Sequence, residues 1–551
     1  AERGKVVRVF VEVKARFDEA SNLAWAERLE RAGIITLYSF PHLKVHAKLA
    51  LVVRREGGEP RRYAYLGTGN FNEETARFYT DCALLTADEG ITHEVQSVFH
   101  FLAGDGDPPP FHHLMVAPFD LRERLTALIE AETERARRVE PAAGPGRGGG
   151  AAPATLEEFE ARVSTAAGDD EALWELVRGQ FILDPGRVYL NFGGLGACPL
   201  PVLEALGQFT RAEEGAPSAG HDEERWEAVK TKLARMLGKT CRKEDIGFVG
   251  GATEGVNIIV NGLPLGKGDE VITSTHEHVA VHSALLHRMK RDGIVVRLFE
   301  PDAASAMGNV KRIGRLVTAR TRLIIFSHVS CTTGQLFPVR AVADLARANN
   351  VWFALDGAQA PVCAPFDIEE TGADFYTCSA HKWMMGPKRT GFIYVRPGML
   401  DALRPSVGAM RYDVEKGEIV PYPTARRFES GTQNDALFYA LGTALDFVAA
   451  IGVDRISRRC RAMAERFYRG LGEIPGVERL SPEEEACRTL MITFRMRGRT
   501  HGEIGERLSR ERFRVRPVGE GGLDAIRVSF YLNNRDEDVE ALLDSLEKLA
   551  G

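Results

Sequence analysis

The sequence has no Cys-x-x-Cys pair, no apolar run near the roughly 18 to 20 residues that a membrane span needs, no large excess of one charge and no internal repeat. Its eight cysteines (Cys82, Cys198, Cys241, Cys331, Cys363, Cys378, Cys460, Cys487) are scattered and no secretory leader precedes them, which argues against a disulfide framework and predicts reduced thiols in a cytoplasmic protein. A net charge of −6 over 551 residues supplies no general attraction for nucleic acid or membranes, so neither is expected as a partner. What is present is an ordinary globular composition, 44% apolar and 27% charged, in a chain long enough for at least two domains.

Residues 139–154, beginning VEPAAGPGRGGGAAP, exchange every periodic apolar signal for proline, glycine and alanine and read as a flexible linker. Before them, residues 118–138 carry apolar positions at helical spacing and end in arginines, predicting an amphipathic helix that closes a first region, 1–138. After them, residues 155–551 open with a helix capped at Thr155, then alternate helical stretches with the β-rich runs DIGFVG, DEVITS, RLIIFSHV, VWFALDG, DFYTCSA and TGFIYVR. That alternation predicts an α/β domain with a mainly parallel sheet, whose ligands gather at the carboxyl ends of the strands. From about residue 452, the runs TLMITFRM and AIRVSFYL among helices suit a smaller α+β lobe.

Chemistry-bearing residues stand at those strand ends. Lys382, in SAHKW, follows DFYTCSA and precedes the turn MMGPKRTGF; alone, such a lysine is as readily surface decoration as a catalyst. Asp356 follows VWFAL and stands beside Gln359, bringing a carboxylate and an amide together, with a helix N-cap as the alternative reading. GGATEG lies between a strand and the apolar helix VNIIVNGL, so backbone N–H groups and the Thr253 hydroxyl face outward at a helix start, where an anion is favoured. His278, in STHEH, follows DEVITS. With His276 and His282 it forms spacings compatible with metal ligands, but no cysteine or carboxylate cluster completes a site and no metal is predicted. A lysine to form a Schiff base, an acid to keep a pyridine nitrogen protonated, an anion cradle and a flat group to cover a ring are together what pyridoxal 5'-phosphate asks of a protein.

In the order GGATEG, STHEH, SHVS, DGAQ, SAHKW, FESGT and AIRVSF, residues from about 170 to 550 resemble the class V aminotransferase family of fold-type I pyridoxal-phosphate enzymes, which includes cysteine desulfurases, selenocysteine lyases and isopenicillin N epimerase-like proteins. The resemblance implies that Lys382 carries the cofactor, Asp356 pairs with its pyridine nitrogen, Gln359 contacts the ring oxygen and His278 stacks on the ring. It implies that Ala252, Thr253, Ser379 and His381 hold the phosphate. It also implies a homodimer, in which Gly431 and Thr432 of FESGT reach the phosphate of the neighbouring subunit. Arg527 matches the arginine that clamps the α-carboxylate of a small amino-acid substrate, a planar group suited to a bidentate guanidinium; the alternative is an exposed strand arginine.

Desulfurases carry a nucleophilic cysteine shortly before that arginine, and RFRVRPVGEGGLD, residues 512–524, has none, so direct persulfide formation is not expected. Cys331, where desulfurases commonly have asparagine, either lies near the substrate or is a small buried residue. The opening LDPGRVYLNFGGLGACP resembles the epimerase and lyase branch most. The expected reaction is proton abstraction from Cα by Lys382, leading to epimerisation or elimination, with transamination or desulfurase-like chemistry as alternatives. The sequence does not single out the second acid-base group that a two-base epimerase needs.

The first region carries a different signal. An H-x-K spacing in the run VHAKLALVV places His46 and Lys48 on one strand face, where an imidazole can attack phosphorus while an ammonium offsets phosphoryl charge. Residues 1–66 hold 13 Lys and Arg against 8 Asp and Glu, a local +5 that suggests a polyanion partner. With VKARFDEASN, LKVHAKLALVVRR, YAYLGTGNFNEETARFYTD and LMVAPFDLRERL in order, this region resembles polyphosphate kinase, of the type related to phospholipase D. The resemblance implies that His46 becomes phosphorylated and that Arg16 binds phosphate. The other kinase domains have no counterpart in this sequence, so the region reads as a truncated α/β domain, inactive in phosphoryl transfer, with polyphosphate binding or retained phosphoryl transfer as alternatives.

Overall fold

The computed structural model describes all residues except 1–3, 14–18, 39–43, 72–80, 139–154, 166–170 and 406–409. Arg16 and the expected linker therefore lie outside the described residues. The chain divides into two compact units, residues 1–142 and 143–551.

In the first unit, strands Lys48–Glu56, Glu59–Gly67 and Ala83–Thr86 form an antiparallel sheet, and Arg8–Val11 pairs in parallel with Ile35–Tyr38. Its core is small: Val98 and Leu102 of helix Glu89–Ala103 pack with Phe111. The histidine-bearing strand begins at Lys48, so His46 lies in the preceding loop rather than in the strand expected from VHAKLALVV. The ladder stops there because its partner strand ends at Gly67, opposite Lys48, and the next residue, Thr68, donates its N–H to Cys82 instead.

The second unit is built on a seven-stranded sheet in the order Ile246–Val249, Gly391–Val395, Phe375–Ser379, Trp352–Asp356, Thr321–Ser327, Glu270–Ser274, Val295–Phe299. The sheet is mainly parallel, as its alternation with helices predicts; Gly391–Val395 alone runs antiparallel to its neighbours. Residues 380–390 are too short a connection for a crossover helix, so the chain returns as an antiparallel neighbour. Both faces are covered. Leu323 and Ile325 pack with Val256 and Ile259 on one side, while Ile324 and Phe326 pack with Phe337 and Val342 on the other, which is why the strand is apolar almost throughout. The six strands that share a direction bring their last residues, Val249, Ser274, Phe299, Ser327, Asp356 and Ser379, to one end of the sheet.

The smaller lobe is an antiparallel sheet in the order Val477–Arg479, Met491–Met496, Ala525–Ser529, Arg516–Val518, with helices Val453–Leu471, His501–Arg510 and Asp536–Ala550. The segment around residue 190 returns to this lobe: Val188–Tyr189 pairs with Phe513–Arg514, and Ser529 donates its N–H to the Leu190 carbonyl. Among the described residues no single helix is long and apolar enough to cross a membrane.

One buried ion pair anchors the loop that carries FESGT. Glu429 lies 2.6 Å from Lys230 Nζ and accepts hydrogen bonds from Phe248 N and Trp226 Nε1, and both members of the pair are almost wholly buried. Removing one partner would leave the other charged group buried without compensation. Lys230→Met is therefore expected to lower the stability of the folded protein by about 3 to 5 kcal/mol, read as a fall in urea midpoint. An unchanged midpoint would show that the pair does not hold this loop.

Candidate active site

A cavity of about 550 Å³ opens where the strand ends meet. On one side of it the chain leaves strand Ile246–Val249 through Gly250 and Gly251 and enters helix Ala252–Gly262. Gly251 sits at φ +143°, and a Cβ there would lie 3.3 Å from both Ser379 and His381, so glycine allows the turn and keeps the helix start open. The residue before the helix, Gly251, has no side chain with which to cap it. Ser379 Oγ accepts from Ala252 N at 2.9 Å, and Thr253 is exposed at the cavity wall. His381 Nδ1 lies 3.1 Å from the Thr390 carbonyl and donates to it; burial pushes this histidine down to about 4. These four residues, expected from sequence to hold a phosphate, are thus brought together around this helix start, where an anion is favoured.

Asp356 ends strand Trp352–Asp356 and is buried. Its Oδ1 accepts from Ala358 N at 3.0 Å, but the chain then turns without forming a helix, so the N-cap alternative does not apply. Its second carboxylate oxygen accepts no hydrogen bond among the described residues. Lys382 lines the same cavity, and its Nζ has no hydrogen-bond partner among the described residues. Burial holds this amine below the usual lysine value, and the negative charge of Asp356 opposes that shift. Gln359 is locked in place: its Nε2 donates to the Gly193 carbonyl at 2.7 Å and its Oε1 accepts from Trp383 Nε1 at 2.8 Å, leaving one amide N–H uncommitted. His278 is the first residue before helix Val279–Asp292, and its Nδ1 accepts from Ala280 N at 3.2 Å, which puts the ring proton on Nε2. Burial, and then the charge of Lys382, hold it below the ordinary histidine value.

Several residues at the site carried no assignment from sequence. Glu277, the central acid of STHEH, is buried and accepts from Ser274 Oγ, from Ser327 N at 2.8 Å and from Ser327 Oγ at 2.6 Å. Burial raises its carboxyl to about 7 against those three hydrogen bonds. Arg389, at φ +65°, lines the cavity beside Gly250. Cys331 is both buried and part of the cavity wall, which unites the two readings open for it, and burial pushes its thiol up to about 11.

Arg527 is 1% exposed, so it is not a surface strand arginine. It donates to the Cys331 carbonyl and, at 3.1 Å, to Asn191 Oδ1, while its Nε has no partner. Gly431 and Thr432 are exposed and do not line the cavity of their own chain. In the other unit, Lys48 Nζ lies 3.1 Å from the His46 ring nitrogens, so the two side chains meet although the residues do not share a strand.

Pyridoxal phosphate fits these residues. The open helix start suits its phosphate, the free oxygen of Asp356 its ring nitrogen, the spare amide N–H of Gln359 its ring oxygen, and the unpartnered amine of Lys382 its aldehyde.

Comparison with known proteins agrees with this geometry. Residues 188–542 match the family Aminotransferase class-V, and residues 1–108 match Polyphosphate kinase C-terminal domain 1. The isopenicillin N epimerase of Streptomyces clavuligerus is 29% identical over 399 residues, covering 69% of this chain and 98% of that protein. The polyphosphate kinase of Escherichia coli K12 is 50% identical over 141 residues, which are 26% of this chain and 20% of the kinase, so the chain spans about a fifth of the length of that relative. Among solved structures, a variant of C-DES with glycine covalently linked to its PLP cofactor superimposes with a TM-score of 0.60 at 25% identity, covering 67% of this chain and 98% of that one. The cysteine desulfurase CsdA of Escherichia coli gives the same TM-score and identity, covering 67% and 96%.

The buried imidazoles set a pH dependence. His276, His278, His328 and His381 are all held below the ordinary histidine value, His328 at about 3. The unfolded chain takes up these protons first as pH falls below roughly 6.5, so their contribution to stability is present above that pH and lost below it. The raised carboxyls of Glu277, Glu369 and Asp538 act in the opposite sense, while Glu94 and Glu270, each held down to about 2, act with the histidines. The urea midpoint is expected to fall on acidification. His328→Gln, which retains a partner for Tyr376 Oη, should remove on the order of 2 kcal/mol of the loss between about pH 7.5 and pH 5. An identical pH profile in the variant would count against this origin.

Proposed function

We propose that this chain, which belongs to the class-V aminotransferase family, acts on the Cα–H bond of a small amino acid at the Lys382 cavity, leading to epimerisation or elimination. It is a pyridoxal-phosphate enzyme joined in one chain to a segment of polyphosphate kinase type. The observation that carries the reading is Lys382 itself: an amine without a hydrogen-bond partner among the described residues, lowered in pKa by burial, at the wall of a cavity that also holds Asp356 and an open helix start.

The cofactor, when bound, supplies an electron sink that stabilises negative charge developing at Cα. Lys382 Nζ, held below the usual lysine value by burial, accepts the proton that leaves Cα and holds it for return. Arg527 orients the substrate through its α-carboxylate, and His278 covers the ring. Return of a proton to the opposite face of the same carbon completes epimerisation; departure of a group from the β-carbon completes elimination. Desulfurase-like attack is less well supported. No cysteine stands in residues 512–524, and the Cys331 thiol, raised to about 11, stays protonated near neutrality and is a poor nucleophile.

The outward position of Gly431 and Thr432 supports a homodimer in which they complete the neighbour's phosphate site. The eight cysteines, all unpaired, support a cytoplasmic location. For the polyphosphate kinase segment we propose binding of polyphosphate at most, without phosphoryl transfer. Label from ATP retained on His46 would overturn that part.

Purified protein given pyridoxal phosphate should develop a visible absorbance that Lys382→Ala removes. In deuterated water, candidate amino acids should exchange their Cα proton, and the variant should lose at least about 10²- to 10⁴-fold of that rate. Exchange without release of keto acid or sulfide would identify epimerisation, and release would identify elimination. A colourless wild type would refute the assignment of Lys382.

A further inference from the structure

Two guanidinium groups converge on one neutral carbonyl. Arg527 Nη1 donates to the Cys331 carbonyl oxygen, and Arg516 Nη1 donates to the same oxygen at 3.3 Å. Cys331 is part of the cavity wall, and the charges of Arg516 and Glu520 act on His278 in the same wall. Their proximity is unfavourable: burial, and then the charge of Arg516, pull Arg527 down to about 10. Among the described residues, the carboxylate that ion-pairs with either of them is Glu520, which holds Arg516. Arg527 is reserved for the α-carboxylate in the reading above.

The Arg516–Glu520 pair is built in a way that allows exchange. Glu520 lies on the short turn Glu520–Gly522, whose Gly521 and Gly522 both have positive φ, and its side chain is 38% exposed, against 22% for Arg516. A partly exposed ion pair contributes little, so replacing one carboxylate by another at Arg516 costs little. Gly521 packs against the Cδ2 and Nε2 edge of His276, a ring that is 6% exposed, and the His276 carbonyl accepts the Cys331 thiol at 4.0 Å. The corner formed by Arg516, His276 and Cys331 is therefore polar and carries the positive charge of Arg516.

We infer that Arg516 recognises a second anionic group on the substrate, a side-chain carboxylate that takes the place of Glu520. The inference rests on the site acting at Cα of an amino acid, and it names the substrate class as α-amino acids with an acidic side chain. Arg527 holds the α-carboxylate and Arg516 holds the distal one, so that the two positive charges meet two substrate charges and Glu520 moves into solvent. A neutral side chain cannot displace Glu520 and forgoes this contact.

The test is binding to the holoenzyme, followed through its visible cofactor band, with L-glutamate against L-glutamine and L-aspartate against L-asparagine. At least one acidic member should bind about tenfold or more tightly than its amide, the scale of one charge-assisted hydrogen-bonded contact. Arg516→Gln should bring that ratio to about one, and Arg516→Lys should restore part of it. Glu520→Gln, at an exposed position, should raise the ratio by removing the competing carboxylate. Ratios near one in the wild type, or an unchanged ratio in Glu520→Gln, would overturn the proposal. So would an equal loss for acid and amide in Arg516→Gln, which would assign Arg516 to the α-carboxylate beside Arg527. Because the readout is binding, a failure of Cα exchange would count against the reaction proposed above and not against this substrate class.

Discussion

The withdrawal of the Lys382 amine from water is the constraint on which the rest of the site depends. A solvated lysine is protonated and cannot accept a proton from carbon; a buried one loses that preference in proportion to its desolvation. Here the loss is opposed by the charge of Asp356. In the reading proposed above the same carboxylate has two tasks: it opposes the downward shift of Lys382, and it offers one oxygen to a pyridinium. Both require Asp356 to be buried, which its place at the end of a strand covered on both faces ensures.

Around that pair the protein closes from three directions. The segment near residue 190 supplies Gly193 to orient Gln359 and Asn191 to hold Arg527. The smaller lobe supplies Arg527 and also Tyr531, whose hydroxyl bonds the Trp383 carbonyl next to Lys382. The large sheet supplies Glu277, which ties the ends of two strands together through Ser274 and Ser327. Positive charge gathers on the lobe side, at Arg516 and Arg527, and negative charge on the sheet side, at Asp356. An amino acid bound with its carboxylate toward the lobe would lie along that field.

Much of this architecture was legible because its signals are local. A strand buried on both faces must be apolar over several residues, and a helix that binds an anion must begin after a turn of small residues, so RLIIFSHV and GGATEG announced themselves. Elements whose apolar content is divided with solvent were harder to read. Val295–Phe299, an edge strand with exposed positions, carried no clear signal, and His46 was placed in a strand whose start is set by a partner ending at Gly67. Glu277 stood in plain view inside STHEH, but nothing in a linear pattern shows that its carboxylate points into the protein toward two serines rather than outward.

The sequence by itself pointed to the cofactor chemistry and the family, because seven motifs stand in the family's order and place a lysine, an acid, an amide and a helix start at strand ends. It also determined that no cysteine stands in residues 512–524, shortly before Arg527. Only the tertiary structure decided the electrostatics: that Arg527 and Arg516 share one carbonyl, that Glu520 lies against Arg516, and that Asp356 retains an unbonded oxygen beside a desolvated amine. The reason is physical. Apart from Arg516 and Glu520, which are four positions apart, these groups meet across tens to hundreds of positions, and those distances are fixed by how the lobe, the sheet and the segment near residue 190 pack, which no local pattern encodes.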